Sequence, residues 1–302
     1  MISIFTSHPG EFYALLTAIF WTVSALSFES ASLKVGSLSV NIIRLLFGFI
    51  FLTLFTAIIR GRWLPSDASS ANWVWLTLSG IVGFVLGDLL LFKSYTMIGS
   101  RFAMLIMALV PPMAAFLGWI MLNENLTYFS LFGMLLTLLG ISLAILSRKG
   151  SGKRLSLKLA PKGILFALGG AAGQALGLVL SKVGMQGYDP FAATQIRILA
   201  GIAGFAILIT LMNRWRRVAS AVVHWPAMKG ITTGAFFGPF LGVSFSLLSV
   251  VYTQAGIAST IMAIVPVLII PPAIIILKQK VTWTELLGAI ISIGGVSLFF
   301  VS

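Results

Sequence analysis

Apolar residues along this chain run in blocks of roughly 20, broken by short polar stretches. A helix crosses the hydrocarbon core of a bilayer in about 20 residues. Ten such spans are predicted, at about 12–31, 38–59, 73–92, 98–121, 127–146, 163–182, 190–212, 229–251, 257–277 and 283–301. They are rich in Leu, Ile, Gly and Ala and lack a period of two, so helices fit and a β-barrel does not. Most connections are short. Residues 60–72 and 148–162 are two of the longer ones, and the second carries Arg148, Lys149, Lys153, Arg154, Lys158 and Lys162.

The pattern is written twice. Laying 103–143 on 258–298 at an offset of 155 gives 14 identities in 41 positions, without a gap. Pro111 falls on Pro266, Thr127 on Thr282, Gly133 on Gly288 and Gly140 on Gly295. A repeat at half the chain length marks a duplicated fold. The predicted organisation is a first five-helix repeat over 1–147, a basic linker over 148–162 and a second five-helix repeat over 163–302. An odd number of spans forces the second repeat to enter from the opposite face. The fold class is therefore all-α integral membrane, with ten transmembrane helices as two inverted five-helix repeats. In secondary transporters built this way the substrate site lies near the midplane, at the repeat interface.

Composition agrees. Hydrophobic residues make up 59% and charged residues 9%, against about 25% charged in a soluble domain. The net charge of +13 is read as loop charge that orients the chain and meets anionic headgroups; nucleic acid is not an expected partner. Lys and Arg are denser after odd-numbered spans, which puts the linker in the cytoplasm and both termini outside. No Lys or Arg precedes the first apolar run, so it is read as a span and not as a cleaved signal. Cysteine is absent, which removes disulfides and thiolate metal sites.

Several phrases resemble the EamA-type permeases of the drug/metabolite transporter superfamily. Gly87-Asp88 is followed by Tyr95, Ile98, Gly99 and Ser100; Pro111 by 122–127, LNENLT, and then Gly133 and Gly140. Trp21 and Arg44 fit in the first half, and Arg197, Pro266, Gly288 and Gly295 repeat the phrase in the second. The resemblance implies secondary transport, usually export, of small metabolites such as amino acids, or of toxic compounds. That family carries a Glu after the fourth helix, present as Glu124, whereas the second half has Gln279; Glu124 is read as a structural cap.

Ionisable residues within spans mark a cavity or a partner, because a central charge costs about 2.5–3.5 kcal/mol on insertion scales. Arg44 lies six residues into span 2, and Arg197 matches it in span 7 at an offset of 153. They form a candidate pair of cationic sites for a carboxylate or phosphate, or else snorkel to headgroups. Asp88, late in span 3, is the acid well inside a span. It is the proton-coupling candidate, or an internal ion-pair partner of Lys93, Arg101 or a basic residue on another helix. Its repeat mate is Val243. Glu29 and its counterpart Lys182 lie near helix ends and read as interfacial.

Trp21, Ser24, Asn41, Tyr95, Gln174, Ser246 and Tyr252 complete the substrate-binding or cavity set with Arg44, Asp88 and Arg197. Polar groups of this kind line a wet cavity or glue helices together. Pro111 and Pro266 are candidate gates that bend spans 4 and 9 at matching places. Gly80, Gly83 and Gly87 form a small-residue stripe in span 3, repeated by Gly234, Gly238 and Gly242 in span 8. Spans 5 and 10 read as packing elements through Gly133, Gly140, Gly288 and Gly295, and the other eight enclose the pathway.

No phosphate-binding loop or HExxH motif occurs, and the two histidines, His8 and His224, lie at span ends or in loops. No enzymatic activity, cofactor or metal is expected. The predicted function is a secondary transporter in a bacterial inner membrane. It would export an amino acid or similar metabolite by alternating access through a central cavity, with protons as possible co-substrate, as a monomer or homodimer. The alternatives are an intramembrane enzyme or lipid-handling protein, or a non-transporting membrane partner subunit.

Overall fold

A computed structural model describes residues 7–147, 161–275 and 281–300. The predicted linker lies outside the described residues apart from its last two positions, as does Gln279.

The chain opens with α1 (Pro9–Val35) and turns on the single residue Gly36 into α2 (Ser37–Arg60). Gly36 has φ +82°, a conformation glycine reaches without a Cβ penalty. After the loop, Ser69 and Asn72 form a reciprocal cap that starts α3 (Ser70–Gly80). The rod then widens into a π-helical segment, Ile81–Gly87, and continues as α4 (Asp88–Met107). Next come α5 (Val110–Leu122) and α6 (Tyr128–Ser147). The second half holds α7 (Pro161–Gly184), α8 (Pro190–Leu211), the short α9 (Trp215–Val222) and α10 (Trp225–Ala235). A second π-helical segment, Phe236–Gly242, leads into α11 (Val243–Tyr252). The chain ends with α12 (Ala255–Met262), α13 (Val265–Leu268), α14 (Ile270–Ile275) and α15 (Trp283–Leu298).

Among the described residues, eight helical segments are long and apolar enough to cross a membrane. Val110–Leu122 and Trp283–Leu298 are shorter apolar helices. Large apolar side chains such as Ile58, Leu211 and Trp283 stand exposed on the outside, as lipid-facing residues do. The buried apolar residues gather in two main clusters. One is built around Ala14, Leu247, Ile261 and Phe299, the other around Ile42, Leu52, Phe205 and Ile231.

The contacts between halves come in matched pairs. The first helix of each half packs on the third and fourth of the other: α7 on α3, α4 and α5, and α1 on α10, α11 and α12. Two further pairs match like with like, α2 with α8 and α6 with α15. The α6–α15 contact rests on the glycines that the sequence marked for packing. A Cβ built on Gly288 would lie 2.5 Å from the Ala144 nitrogen and 2.6 Å from the Gly140 oxygen. One on Gly295 would lie 2.6 Å from the Thr137 nitrogen. Only glycine lets two backbones approach this closely.

Three expectations are corrected. A break was expected at 93–97, between spans 3 and 4, but α4 runs through it from Asp88 to Met107. Its polar residues do not terminate a helix: the Ser94 hydroxyl donates back to the Leu91 carbonyl at 2.7 Å, and Gly99 is helical. In the second half the matching break does occur, after Tyr252, where Thr253 is extended.

Pro111 and Pro266 were expected inside helices, bending them. Each instead stands in the first turn of a new helix, α5 or α13, after a two-residue turn at Ala108–Leu109 or Ala263–Ile264. That position suits proline, because a first-turn N–H has no intrahelical acceptor to lose.

No helix was predicted between spans 7 and 8. That connection contains α9, which buries Val218 and Ala221 while Arg216 and Arg217 stand exposed. A short helix with one apolar and one basic face suits the membrane interface.

Candidate functional site

The two π-helical segments occupy the same register of the repeat, since 81 and 87 plus 155 are 236 and 242. Such wide turns recur at functional sites. Glycine packing and a proline account for them here. Gly83 and Gly87 face Gly177 and Gly173 of α7: Cβ atoms built on Gly177 and Gly173 would lie 2.9 Å from the Cα atoms of Gly83 and Gly87. In the second half Pro239 lies inside the wide turn, where it has no N–H to donate to an α-helical acceptor. Gly238 and Gly242 there face Ser24 and Trp21, the residues that match Gly177 and Gln174.

The first wide turn ends at a buried polar cluster. Arg44 of α2 donates through Nη2 to Asp88 Oδ2 at 2.6 Å. Gln174 of α7 donates to Asp88 Oδ1 at 2.9 Å and to the Gly83 carbonyl at 3.2 Å. The Arg44 guanidinium also lies over the Phe28 ring, 5.4 Å from its centroid. Three residues from the predicted set thus meet, one from the second half and two from the first. Of the alternatives open for Asp88, the structure makes it the ion-pair partner of a basic residue on another helix. Arg44 does not snorkel outward but turns in.

Arg197 of α8 sits beside the same turn. Its Nη2 lies 3.5 Å from the position of a Cβ built on Gly83, and its guanidinium lies over Phe84, 4.9 Å from the ring centroid. The residue is only 6% exposed, and its Nε has no partner. No carboxylate among the described residues pairs with it.

The remaining predicted residues spread around this cluster. Asn41 is buried one turn before Arg44. Ser24 is buried against Gly238, and Trp21 is half-buried against Gly242. The Ser246 hydroxyl is turned back onto the Val243 carbonyl at 2.7 Å. Tyr252 is 58% exposed at the end of α11, with its ring 5.9 Å from that of Tyr13, and lies apart from the cluster. Tyr95 is on α4, and its side chain is outside the described residues, as is that of Glu29.

A second network, at one end of the bundle, escaped the sequence reading. Glu124 pairs with Lys182 at 2.6 Å and accepts from the Ala255 N–H, the first residue of α12, at 2.8 Å. Lys182 also donates to the Thr253 carbonyl at 2.6 Å, and the Thr253 hydroxyl donates to Glu11 at 2.6 Å. Glu124 therefore does cap a helix, but one in the other half.

At the same end, residues Arg60 and Asp67 of the first long loop meet at 2.7 Å. The Tyr188 hydroxyl donates to Asp67 at 3.0 Å, and Arg60 approaches Asp189 at 3.7 Å. Burial and the Asp67 bond push the Tyr188 phenol up to about 12. The bonds from its own backbone and Tyr188, with Arg60 and Arg62 nearby, hold Asp67 below the usual carboxylate value despite the opposing effect of burial. Oppositely charged residues at span ends were the available signal, but the sequence alone does not say which ends meet.

The model of the EamA-like transporter family matches residues 8–146 and again 161–301. A protein of Archaeoglobus fulgidus described as an uncharacterized transporter is 24% identical over 115 residues, which is 38% of this chain. The match spans about two fifths of that relative, 39% of its length. A solved crystal structure that carries no functional description superposes with a TM-score of 0.73 at 15% identity, covering 96% of each chain; it shows the shared fold. The chain belongs to the EamA-like transporter family and is a multi-pass membrane protein.

Proposed function

We propose that the chain is a secondary transporter that moves a small metabolite, an amino acid or similar compound, by alternating access. Its ten spans form two inverted repeats, 1–147 and 163–302, about a pseudo-two-fold axis in the membrane plane. The reading draws support from the paired contacts between halves and from the two ranges that match the family model. The linker 148–162 lies in the cytoplasm, and the direction is export from a bacterial cell.

The observation that carries the proposal is the Arg44–Asp88–Gln174 cluster, with Arg197 beside it, held within membrane-spanning helices of both halves. Buried ionisable groups at such depth are expensive and mark a solute or proton path. Trp21, Ser24, Asn41 and Ser246 line the approach. Asp88 is the proton carrier: protonation would release Arg44 and loosen a contact between helices. The paired turns at Pro111 and Pro266 let α5 and α13 swing as gates. Charge networks at the Glu124 end latch the halves between strokes.

The test is counterflow in liposomes holding the purified full-length chain, with radiolabelled amino acids inside and out. Accumulation of label against its gradient supports the proposal. Failure of the chain to move any solute, in either orientation and at any imposed pH gradient, rejects it. Asp88→Asn should remove dependence on the pH gradient while leaving exchange measurable; an unchanged pH response would remove Asp88 from the coupling role.

A further inference from the structure

Two arginines hold equivalent places in the repeat, and their surroundings differ in one respect. Arg44 has Asp88 at 2.6 Å. At the register of Asp88 the second half has Val243, which is buried, so the arrangement offers Arg197 no matching acid. Arg197 stays almost wholly buried with an unpartnered Nε, beside a ring face and a glycine backbone. An ionised group taken out of water without a counter-charge is costly, by several kcal/mol per ion after relaxation. The π-cloud of Phe84 offsets only part of that, about 2 kcal/mol when desolvated. A guanidinium also cannot relieve the cost by losing its proton.

We infer that Arg197 is the receiving group for an anionic moiety, a carboxylate or similar planar oxyanion, on the transported solute. The inference rests on the transporter reading above and adds the substrate class and the residue that selects it. Arg44 also keeps an unpartnered Nε, but Asp88 at 2.6 Å already balances its charge. Guanidinium and carboxylate match as a two-pronged pair. The Phe84 face holds the guanidinium on one side. The Gln174 amide, on the Gly83 carbonyl and Asp88 at 3.2 and 2.9 Å, ties the filled and the empty arginine to one wide turn.

The experiment uses the purified full-length chain in detergent and follows its melting temperature, since a ligand of the folded state raises it. The probes are the L-amino acids and benzoate, each against its primary amide. At least one acid should raise the melting temperature where its amide does not. Arg197→Gln should weaken that acid at least about thirtyfold, and Arg197→Lys should keep part of the binding. Val243→Asp, which places an acid at the Asp88 register, should abolish the acid effect without lowering the melting temperature of the empty chain. If Arg197→Gln does not fold, Val243→Asp alone decides. The inference is overturned if no acid is distinguished from its amide, or if the acid effect survives in Arg197→Gln or Val243→Asp. In that case, counterflow of neutral or cationic solutes by the wild-type chain would leave the transporter reading intact, and absence of any counterflow would remove both.

Discussion

Glu124 and Lys182, one from each half of the chain, meet at 2.6 Å with only 11% and 21% of their side chains exposed. The same carboxylate caps the first N–H of α12, so one residue joins the turn between α5 and α6 to two elements of the other half. Removing it strands a mostly buried ammonium and a helix-terminal N–H. Glu124→Ala should therefore destabilise the protein by about 2–3 kcal/mol, in the range of hydrogen bonds to charged groups. Thermal unfolding in detergent checks this. A double-mutant cycle with Lys182→Met should show coupling above about 1 kcal/mol; additive losses would mean the two act separately.

Asp88 and Arg44 form the pair nearest the proposed pathway. Breaking a buried pair by one partner costs about 3–5 kcal/mol, because the survivor keeps its charge. With 12% and 18% of the two side chains exposed, the lower end applies. Arg44→Gln with Asp88→Asn should melt higher than either single variant. A double variant that melts lowest of the three would contradict the pairing.

The α6–α15 contact predicts opposite outcomes for adjacent glycines. Gly295→Ala drives a methyl into the Thr137 backbone, and Gly288→Ala into that of Ala144. Each should cost about 1–3 kcal/mol, the usual penalty of overpacking. Gly294, next in sequence, has nothing within 4 Å of a built Cβ. Gly294→Ala should be neutral or slightly stabilising, since alanine is the better helix former. Melting curves of the three variants test the prediction.

Tyr188 predicts an alkaline limb of stability. Its pKa is raised from 10.0 to about 12 in the fold, so the fold favours the protonated phenol. That contribution is complete below pH 10 and fades as pH rises from 10 toward 12. Asp67 gives the opposite limb: its lowered pKa adds stability above the ordinary carboxylate value of 3.8, and this is lost as pH falls below that value. Tyr188→Phe should remove the alkaline limb of a melting-temperature profile and shrink the acid limb, because its hydroxyl helps hold Asp67 low; Asp67→Asn should remove the acid limb and shrink the alkaline one.

Much of the architecture was legible because matched prolines and glycines report backbone geometry directly. Gly140 on Gly295 and Gly133 on Gly288 pointed to a close contact, and α6 and α15 make it. Arg44 and Asp88 were legible as buried charges but not as each other's partner, because a sequence does not give the rotation of one helix toward another. Pro111 was misread because a proline within an apolar run looks the same whether it bends a helix or begins one. The break expected at 93–97 relied on polarity, and Ser94 showed why that fails when a hydroxyl bonds back to its own helix. The wide turns left only glycine stripes as a trace, and the same stripes serve ordinary helix packing.

Those wide turns carry a consequence for how the chain is wired. An α-helix advances about 100° per residue, so an extra residue in a turn sets the phase of everything beyond it. Asp88 is the first residue past Ile81–Gly87, and Val243 the first past Phe236–Gly242. Tightened into a plain α-helix with all 7 residues kept, the first segment would turn Asp88 by roughly 100°, out of reach of Arg44; losing one residue as it tightens would cancel most of that turn. A one-residue deletion within the segment should therefore leave the pH response in place, whereas Asp88→Asn removes it. The two segments act as a pair of angular settings, one for each half, and evolution could retune which groups face inward without changing any of them.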